Sequence, residues 1–598
     1  MTLLRRYGVF VLIAVGACVP LMTDNGYYVH SVMAKVCIYA ILVAGLDLVV
    51  GYAGDVSVGH AGLFAVGAYT TAILMTRLAV PYPVAAGAAV LLSSVFGLIL
   101  GVPALRLAGP YLAVATIAFG LIIQTFINEA VWLTQGSLGI QGIGPLAIGP
   151  LDLDGNHFYY LVYVLMVLCL YGVHRLVRSY WGRALEALRE NTIAAECSGV
   201  SRYRMKLSAF VFSAALAGLA GALFVHVDKY VGPPTFSLQL SILFLIMLIF
   251  GGTRSIVGNV LGTFIVVVLP DLFNALIDYQ LLIFGSLLLF TLYFLPGGLS
   301  SVVRTVLDRL APGDRGEDGA GTSPRVDRPE AVARVTATAS DPILRTDGLT
   351  IQFGGLRAVD ALTIEIARGK VHALIGPNGS GKSTTVNLLS GVYRPTRGSV
   401  HFLDQPLPGT AHDISTAGIA RTFQNVALFG DMTVLDNVLV GLHHTFRGGL
   451  LGLMLNTGKS RRTERAARAR ARALLKFVGL ADLAGARARN LPYGKQRLLE
   501  IARALGGNPA LILLDEPAAG LTSGEIAAVD ALIHKMKTGG VSILLIEHHM
   551  DLVMAVSDTV TVLDFGQKIA SGPPQEIQQN PRVIAAYLGS SAGEAAHA

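Results

Sequence analysis

The sequence predicts an α-helical, polytopic membrane domain of about ten transmembrane helices, followed by an α/β P-loop domain. Residues 1–310 carry 29 charged side chains, whereas the shorter stretch 311–598 carries 56. Apolar stretches recur throughout the first part, and a complete phosphate-binding loop lies in the second. We therefore expect a membrane domain at residues 1–310, a flexible linker rich in Gly, Pro and Ala at 311–341, and a soluble nucleotide-binding domain at 342–598.

Ten apolar stretches make up the predicted membrane domain. Several approach the roughly 20 residues that a helix needs to cross a bilayer, although the first and the eighth are shorter. The first lacks a small-residue cleavage site followed by a soluble domain, so we expect a retained span rather than a signal peptide. The stretches are approximately Tyr7–Met22, Val29–Val50, Val56–Val80, Val84–Leu105, Tyr111–Val131, Phe158–Leu176, Leu207–His226, Leu238–Phe250, Val257–Asn274 and Tyr279–Leu295.

The lysines and arginines of the first part predict its orientation, because these residues accumulate on the cytoplasmic side of a membrane. With ten spans and the N-terminus inside, thirteen of them fall on the cytoplasmic side. Only Lys35, Arg77 and Lys229 fall outside. This orientation places the second part in the cytoplasm, where ATP is found.

Charge and cysteine content limit the remaining classes of function. The formal net charge is +7 and is divided between the two parts, so no basic patch indicates a nucleic-acid partner. The Arg-rich run Arg461–Arg472 is typical of a solvated helix face. The cysteines have no metal-ligand spacing and lie in or beside apolar segments, so a disulfide framework is not indicated. They are Cys18, Cys37, Cys169 and Cys197.

Residues 376–383, GPNGSGKS, form the phosphate-binding loop. Val371–Ile375 predicts the preceding strand, and Thr384–Ser390 predicts the helix whose N-terminus faces the phosphates. The glycines let backbone N–H groups surround the β- and γ-phosphates, Lys382 supplies a cation, and Ser383 offers a hydroxyl to Mg2+. The predicted ATP-binding residues of this motif are Gly376, Asn378, Gly379, Ser380, Gly381, Lys382, Ser383 and Thr384.

A second motif consists of the apolar stretch Leu511–Leu514 followed by Asp515 and Glu516. A strand that ends in two carboxylates can place one on a metal ion and leave the next to polarise water. Many parallel strands end in Asp, so the carboxylate pair alone is weak evidence for a site of this kind. Together with the phosphate-binding loop it predicts a site for ATP and Mg2+.

An amphipathic segment, Trp181–Lys206, follows the sixth apolar stretch. Ala184, Leu185, Leu188, Ile193 and Cys197 can share one face of a short helix pair, and the charged residues, Arg183 included, are expected to stay in solvent. Such a segment outside the membrane needs a surface that buries its apolar face. The nucleotide-binding domain is the nearest candidate.

This segment resembles the coupling helix of bacterial ABC importer permeases. Gly45–Tyr69, Leu105–Gly120 and Gly251–Gly262 resemble the LivM-type permease of high-affinity branched-chain amino acid uptake. The second part resembles LivG, the ATPase subunit of the same system. The chain is therefore similar to a LivM–LivG fusion, and the resemblance covers nearly everything except the linker and the last few residues.

The resemblance implies roles for individual residues of the ABC ATPase domain. Glu516 matches the catalytic base, His548 the switch histidine at the γ-phosphate, and Gln424 the glutamine that contacts Mg2+ and the attacking water. These three are the predicted catalytic residues. Ala518–Leu521 matches the loop that crosses the seam of the ATPase dimer.

The same comparison implies the remaining ATP and metal contacts. Phe353 lies where the family stacks adenine, and Asp515 lies at the magnesium position. With Ser383 and Gln424, Asp515 completes the predicted Mg2+ ligands.

The signature motif departs from the family pattern. Most ABC ATPases have LSGGQ, and LivG-like proteins have a sequence close to LAYGQ. In the family this element completes the ATP site of the partner domain. Pro492 removes a possible donor and Lys495 adds charge, which leads to the hypothesis that the two composite ATP sites are unequal. The motif here is Leu491, Pro492, Tyr493, Gly494 and Lys495.

The resemblance implies ATP-driven import of amino acids, branched-chain ones by default, across the bacterial inner membrane. Related transporters take urea, short amides or aromatic acids, and an ABC exporter half-transporter and an ATP-gated channel are further alternatives. The expected partners are a LivH-like permease and a LivF-like ATPase, or a second copy of the chain, together with a periplasmic substrate-binding protein that Trp132–His157 could receive.

Three polar residues of the predicted spans allow two interpretations. Asp47 and Asp55 could line a substrate pathway, or they could pair with other groups at helix ends. His60 is better interpreted as a packing histidine than as a ligand. Glycines around them permit close helix packing or a broken helix.

Overall fold

The computed structural model describes residues 16–20, 26–104, 109–144, 146–148, 151–152, 155–272, 279–295, 297–310, 342–446 and 448–588. The predicted linker, 311–341, lies outside the described residues, as does most of the first apolar stretch. The chain forms two compact units. Leu453–Leu455 belong to the first unit with most of the membrane part, whereas Ala187–Arg202 belong to the second unit with the rest of the ATPase part.

The described residues of the first part of the chain are mainly helical. A small antiparallel pair, β1 (Ala147–Ile148) and β2 (Leu151–Asp152), interrupts the helices. The π-helical turns Tyr28–Met33 and Leu48–Tyr52 extend the first helix at both ends. The helices are α1 (Ala34–Asp47), α2 (His60–Leu78), α3 (Tyr82–Ala104), α4 (Pro110–Glu129), α5 (Val131–Thr134), α6 (Asn156–Val177), α7 (Tyr180–Glu190), α8 (Thr192–Glu196), α9 (Arg202–Asp228), α10 (Leu238–Gly251), α11 (Ile256–Leu272), α12 (Gln280–Phe294) and α13 (Gly298–Leu310).

Six helical segments of the described chain are long and apolar enough to cross a membrane. They contain α1, α2, α3, α4, α6 and α9. The apolar helices α10, α11 and α12 are shorter. Nine of the ten predicted stretches each overlap one of these helices, the described residues 16–20 of the first stretch are helical as well, and a total of about ten spans stays a prediction.

Glycines bring the membrane helices into backbone contact. A Cβ on Gly67 of α2 would lie 2.3 Å from the carbonyl oxygen of Gly218 of α9, and one on Gly221 would lie 2.2 Å from that of Phe64. A Cβ on Gly59 would lie 2.4 Å from the carbonyl oxygen of Thr116. Small residues at helix crossings allow this close approach, and van der Waals packing then stabilises the bundle without a hydrophobic driving force.

The polar residues of the spans have partners within the first unit. Asp47 is buried and accepts hydrogen bonds from the Arg254 N–H at 2.9 Å and from the Asn259 amide at 3.0 Å. Asp55 forms an ion pair with Lys206 at 2.6 Å. These contacts favour pairing over a pathway role for the two carboxylates.

His60 is also buried within the first unit. Its ring nitrogens lie 3.1 Å from the Ser57 hydroxyl and 2.8 Å from the Ser213 hydroxyl. The contacts connect α2 to α9, which supports the interpretation of His60 as a packing histidine.

The amphipathic segment is only partly as predicted. Ala184, Leu185, Leu188 and Cys197 are buried, but Ile193 is 48% exposed. Arg183, expected in solvent, is buried. The prediction was wrong at these two positions, because tertiary packing buries Arg183 of α7 and leaves Ile193, in the first turn of α8, exposed.

Two sheets form the ATPase part. The first has the order β13-β12-β6-β11-β10-β9, in which only β13 is antiparallel to its neighbour. The second is antiparallel, with the order β4-β3-β7-β8 and β5 paired to β3. The strands are β3 (Pro342–Phe353), β4 (Leu356–Leu362), β5 (Glu365–Ala367), β6 (Val371–Ile375), β7 (Arg397–Phe402), β8 (Gln405–Pro406), β9 (Ile419–Arg421), β10 (Leu511–Asp515), β11 (Ser542–Ile546), β12 (Thr559–Asp564) and β13 (Gln567–Gly572).

Alternate residues of the central strands enter two cores. Ile512 and Leu514 of β10 pack with a helical layer, whereas Leu511 and Leu513 pack with the antiparallel sheet. Burial on both faces explains the continuous apolar runs of these strands. The helices of this part are α14 (Lys382–Leu389), α15 (Ala411–Ala417), α16 (Val434–Gly441), α17 (Leu450–Met454), α18 (Gly458–Phe477), α19 (Tyr493–Gly506), α20 (Ser523–Thr538), α21 (Met550–Val556), α22 (Pro574–Gln578) and α23 (Pro581–Leu588).

Candidate nucleotide-binding site

The predicted site residues follow the carboxyl ends of neighbouring parallel strands. Gly376 follows β6, Glu516 follows β10, and His548 lies two residues beyond β11. Gln424 lies three residues beyond β9. Because parallel strands end at one edge of a sheet, the topology gathers residues from four separate stretches of sequence into one place.

The phosphate-binding loop joins β6 to α14 as predicted. Gly376 and Gly381 have φ values of +151° and +97°. A Cβ on Gly376 would lie 2.1 Å from the Leu563 carbonyl oxygen, and one on Gly381 would lie 2.4 Å from that of Ala358. These positions therefore require glycine on both conformational and steric grounds.

Lys382 is the first residue of α14, and Ser383 and Thr384 follow it in the first turn. Its ammonium group donates hydrogen bonds to the carbonyl oxygens of Gly376 at 2.8 Å and Pro377 at 2.9 Å. Burial lowers the pKa of Lys382, and the carboxylates of Glu516 and Asp515 act in the opposite sense. Lys382 therefore places a positive charge at the N-terminus of α14, a position that already favours the binding of an anion such as a phosphate.

Asp515 is buried and pairs with an arginine that the sequence analysis missed. One carboxylate oxygen accepts a hydrogen bond from Arg421 at 3.1 Å. Arg421 also donates to the side chains of Asn387 at 2.6 Å and Ser390 at 2.9 Å. Burial raises the pKa of Asp515, and Arg421 opposes this shift. The signal was available, since Arg421 lies three residues before Gln424 at the end of a short apolar strand.

The other oxygen of Asp515, Oδ1, is buried and has no hydrogen-bond partner among the residues that the structure describes. An unpaired carboxylate oxygen at the end of a strand fits a Mg2+ ligand, because this ion prefers oxygen donors. The hydroxyl of Ser383 in the first turn of α14 supplies a second donor of the same chemical type. The residues present thus fit the metal.

Gln424, Glu516 and His548 converge on one carboxylate oxygen. The Gln424 amide donates to Glu516 Oε2 at 3.0 Å, and His548 Nδ1 lies 3.8 Å from the same atom. Glu516 has a φ of +47°, which is unusual for a residue with a side chain. Such backbone conformations concentrate at functional sites because the surrounding structure must hold them.

Glu547 is a second residue that the sequence analysis missed. It is buried, and it accepts hydrogen bonds from the Ala518 N–H at 2.7 Å and from the His548 N–H at 3.0 Å. It therefore connects the loop Ala518–Leu521 to the segment that carries His548. The sequence signal was the carboxylate directly after the apolar strand β11.

The remaining predicted residues lie on other elements. Phe353 ends β3, is 45% exposed, and contacts Tyr393 edge-on with ring centroids 5.3 Å apart. Pro492 precedes the first residue of α19, Tyr493 is partly exposed, and Lys495 is exposed. Leu491 is buried, and a Cβ on Gly494 would lie 2.1 Å from Glu525.

Three family models match separate parts of the chain. The model described as "Branched-chain amino acid transport system / permease component" matches residues 28–292. The model described as "ABC transporter" matches residues 359–519. A third, described as "Branched-chain amino acid ATP-binding cassette transporter", matches residues 567–593.

Known relatives match each part over most of their own length. LivG of Escherichia coli (strain K12), a high-affinity branched-chain amino acid transport ATP-binding protein, is 44% identical over 254 residues, which are 42% of this chain and 100% of LivG. BraF of Pseudomonas aeruginosa is 45% identical with the same coverage. LivM of Salmonella typhimurium, a permease protein of such a system, is 32% identical over 340 residues, which are 53% of this chain and 80% of LivM.

Proposed function

Because the chain belongs to the LivG and LivM family of ABC transporter subunits, with the permease and the ATPase fused in one polypeptide, we propose that it drives the import of branched-chain amino acids across the bacterial inner membrane. Residues 1–310 form the permease domain, 311–341 the linker and 342–598 the ATPase domain. The observation that carries the proposal is the presence of both matches in one chain. The segment that matches the ABC transporter model, residues 359–519, contains Gln424 and Glu516.

The arrangement of the site supports hydrolysis of ATP. Backbone N–H groups of the phosphate-binding loop and Lys382 bind the phosphates, and Phe353 stacks on the adenine. Mg2+ held by Ser383, Asp515 and Gln424 neutralises phosphate charge when it is bound.

Glu516 acts as the base. As the water oxygen forms its bond to the γ-phosphorus and the bond to the ADP oxygen breaks, the proton of the water passes to Glu516 Oε2. Gln424 fixes this carboxylate at 3.0 Å, and His548 contacts the γ-phosphate. The hydrogen bond from Gln424 therefore orients the base before the reaction begins.

The proposed partners follow from the composite ATP site of the family. Residues 491–495 act on the ATP of a second ATPase domain, so one copy of the chain is insufficient. A LivH-like permease and a LivF-like ATPase, or a second copy, complete the transporter, and a periplasmic binding protein delivers the substrate. ATP binding closes the ATPase dimer, and hydrolysis resets a permease that works by alternating access.

Uptake measurements in proteoliposomes test the substrate class. The assembled transporter with its binding protein and internal ATP is expected to accumulate labelled leucine, isoleucine and valine. Urea, short amides and aromatic acids serve as competitors. Competition by one of these compounds, without competition among the three branched amino acids, would contradict the substrate assignment.

A further inference from the structure

Three charged side chains on α19 are buried on one face of the helix. Arg497, Glu500 and Arg503 are spaced three residues apart and are 1%, 0% and 2% exposed. The Glu500 carboxylate lies between the two guanidinium groups, 3.3 Å from Arg497 and 3.5 Å from Arg503. Burial of three formal charges is unfavourable unless each one is paired and hydrogen-bonded, so the cluster calls for an explanation beyond helix packing.

The cluster binds the backbone of a single short stretch, 423–427. Glu500 Oε1 accepts hydrogen bonds from the N–H groups of Phe423 at 3.4 Å and Ala427 at 3.2 Å. Arg497 donates to the carbonyl oxygens of Phe423 and Gln424. The guanidinium of Arg503 donates to the carbonyl oxygen of Ala427. Both ends of the stretch are thus fixed by the same three side chains.

This stretch carries Gln424, whose side chain holds Glu516. The helix that carries the cluster begins at the signature motif, and Arg497 also donates to the Tyr493 hydroxyl at 3.2 Å. A continuous set of contacts therefore runs from Tyr493 through Arg497 to the backbone of Gln424, and from its amide to Glu516. The signature acts on the ATP of the partner domain, whereas Glu516 acts on the ATP of its own domain.

We propose that Glu500 is a positioning residue for ATP hydrolysis that fixes Gln424 against Glu516 and ties this catalytic pair to the signature helix of the same domain. The inference rests on the proposed function, in which Gln424 and Glu516 serve hydrolysis. The carboxylate is required because it alone in the cluster accepts the two backbone N–H groups while it separates two like charges.

The variant Glu500→Gln tests the proposal in the full chain, assembled with its partners in lipid. It retains the shape of the side chain and removes its charge. We expect kcat for ATP at saturation to fall about tenfold, with KM for ATP within about twofold of the original, because Glu500 is fully buried and lies out of reach of a bound nucleotide. Glu464→Gln is the matched control, since it neutralises a glutamate paired with Arg468 at 3.0 Å on the outer helix α18. It is expected to leave kcat unchanged.

A double-mutant cycle with Gln424→Ala separates positioning from general destabilisation. If Glu500 acts through Gln424, the double variant is expected to lose no more activity than Gln424→Ala alone. Losses that multiply, or a Glu500→Gln variant with unchanged kcat, would overturn the inference while the proposed function stands. Should Glu500→Gln fail to assemble, Arg503→Lys is the second variant. It keeps the positive charge beside Glu500 but replaces the forked guanidinium with a single ammonium group. The same fall in kcat and the same nearly unchanged KM are expected. An unchanged kcat in Gln424→Ala would overturn both the role of Gln424 and this inference.

Discussion

At the scale of single residues, buried charges set the geometry of the ATP site. Asp515 was predicted as a metal ligand from its place after an apolar strand, but its pairing with Arg421 could not be predicted from the sequence, although the position of Arg421 at the end of a short apolar strand offered a signal. Arg421 and Asp515 are 94 residues apart in the chain and meet only because β9 and β10 are neighbours. Glu500 and Glu547 escaped notice for a similar reason, since each also accepts a hydrogen bond from the backbone of a separate loop, 423–427 for Glu500 and Ala518 for Glu547.

Replacing Arg421 with methionine is expected to destabilise the ATPase part. The substitution leaves the buried Asp515 carboxylate without its cation, and breaking a buried pair in this way costs about 3–5 kcal/mol. The midpoint of thermal unfolding measures the effect. Arg357→Met, which removes an exposed partner of Asp360, is the control, and it is expected to change stability by about 1 kcal/mol or less. Equal midpoints for the two variants would contradict the expectation.

Because of the buried His372 of β6, the free energy of unfolding is expected to fall in mild acid. Burial lowers its pKa from the ordinary 6.5 to about 4, and its ring nitrogen lies 2.9 Å from the Thr561 hydroxyl. The unfolded chain then binds the proton more readily, so stability falls as the pH drops from about 6.5 towards 4. The full loss is about 3 kcal/mol.

Thermal unfolding between pH 7 and pH 5 measures this dependence. His372→Gln is expected to flatten the decline, because glutamine does not titrate. The exposed His534 provides the control, and His534→Gln is expected to retain the original slope. A slope that His372→Gln leaves unchanged would assign the acid sensitivity to other groups.

At the scale of secondary structure elements, the helices of long apolar stretches and the strands that lie next to a sequence motif could be predicted. The strand, loop and helix around residues 376–383 are confirmed, because a glycine-rich turn after a short apolar run specifies local structure directly. The amphipathic segment was predicted less well. Arg183 is buried and Ile193 exposed, because tertiary packing overrides the amphipathic pattern of the sequence.

Helix α23 contacts the phosphate-binding loop from within the third family-matched segment. Val583 packs in a core cluster with Ile375, the last residue of β6. One turn further on, burial raises the pKa of the Tyr587 phenol, and hydrogen bonding with the Gly376 backbone opposes this shift. A cavity of about 630 Å³ is lined by Pro377–Ser380 of the loop and by Arg582, Ala585 and Ala586 of the helix.

Tyr587→Phe is therefore expected to weaken ATP binding modestly. Loss of one hydrogen bond of about 1 kcal/mol corresponds to roughly a fivefold rise in Kd for ATP. Equilibrium binding of a fluorescent ATP analogue measures this change. Tyr393→Phe, a substitution of the same kind beside Phe353, serves as the control and is expected to bind ATP normally. Unchanged binding of the analogue by Tyr587→Phe would show that the contact between α23 and the phosphate-binding loop does not affect the affinity for ATP.

At the scale of the whole molecule, the two parts need partners that the chain does not supply. The signature Leu491–Lys495 begins α19 with Pro492 before its first residue, so a backbone donor is missing where the family uses a helix N-terminus. We therefore expect unequal ATP sites in a heteromeric transporter. Glu516→Gln and the equivalent change in the partner ATPase, made separately, are expected to reduce ATP turnover by different factors. Equal losses would argue against asymmetry.

The most direct test of the account measures ATP hydrolysis and solute accumulation in the same proteoliposomes. The assembled transporter with its binding protein is expected to concentrate leucine only while ATP is hydrolysed. Glu516→Gln is expected to abolish both activities, whereas Glu464→Gln preserves both. Sustained accumulation by Glu516→Gln, or ATP hydrolysis that never concentrates a solute whichever binding protein is supplied, would contradict the claim that hydrolysis drives import.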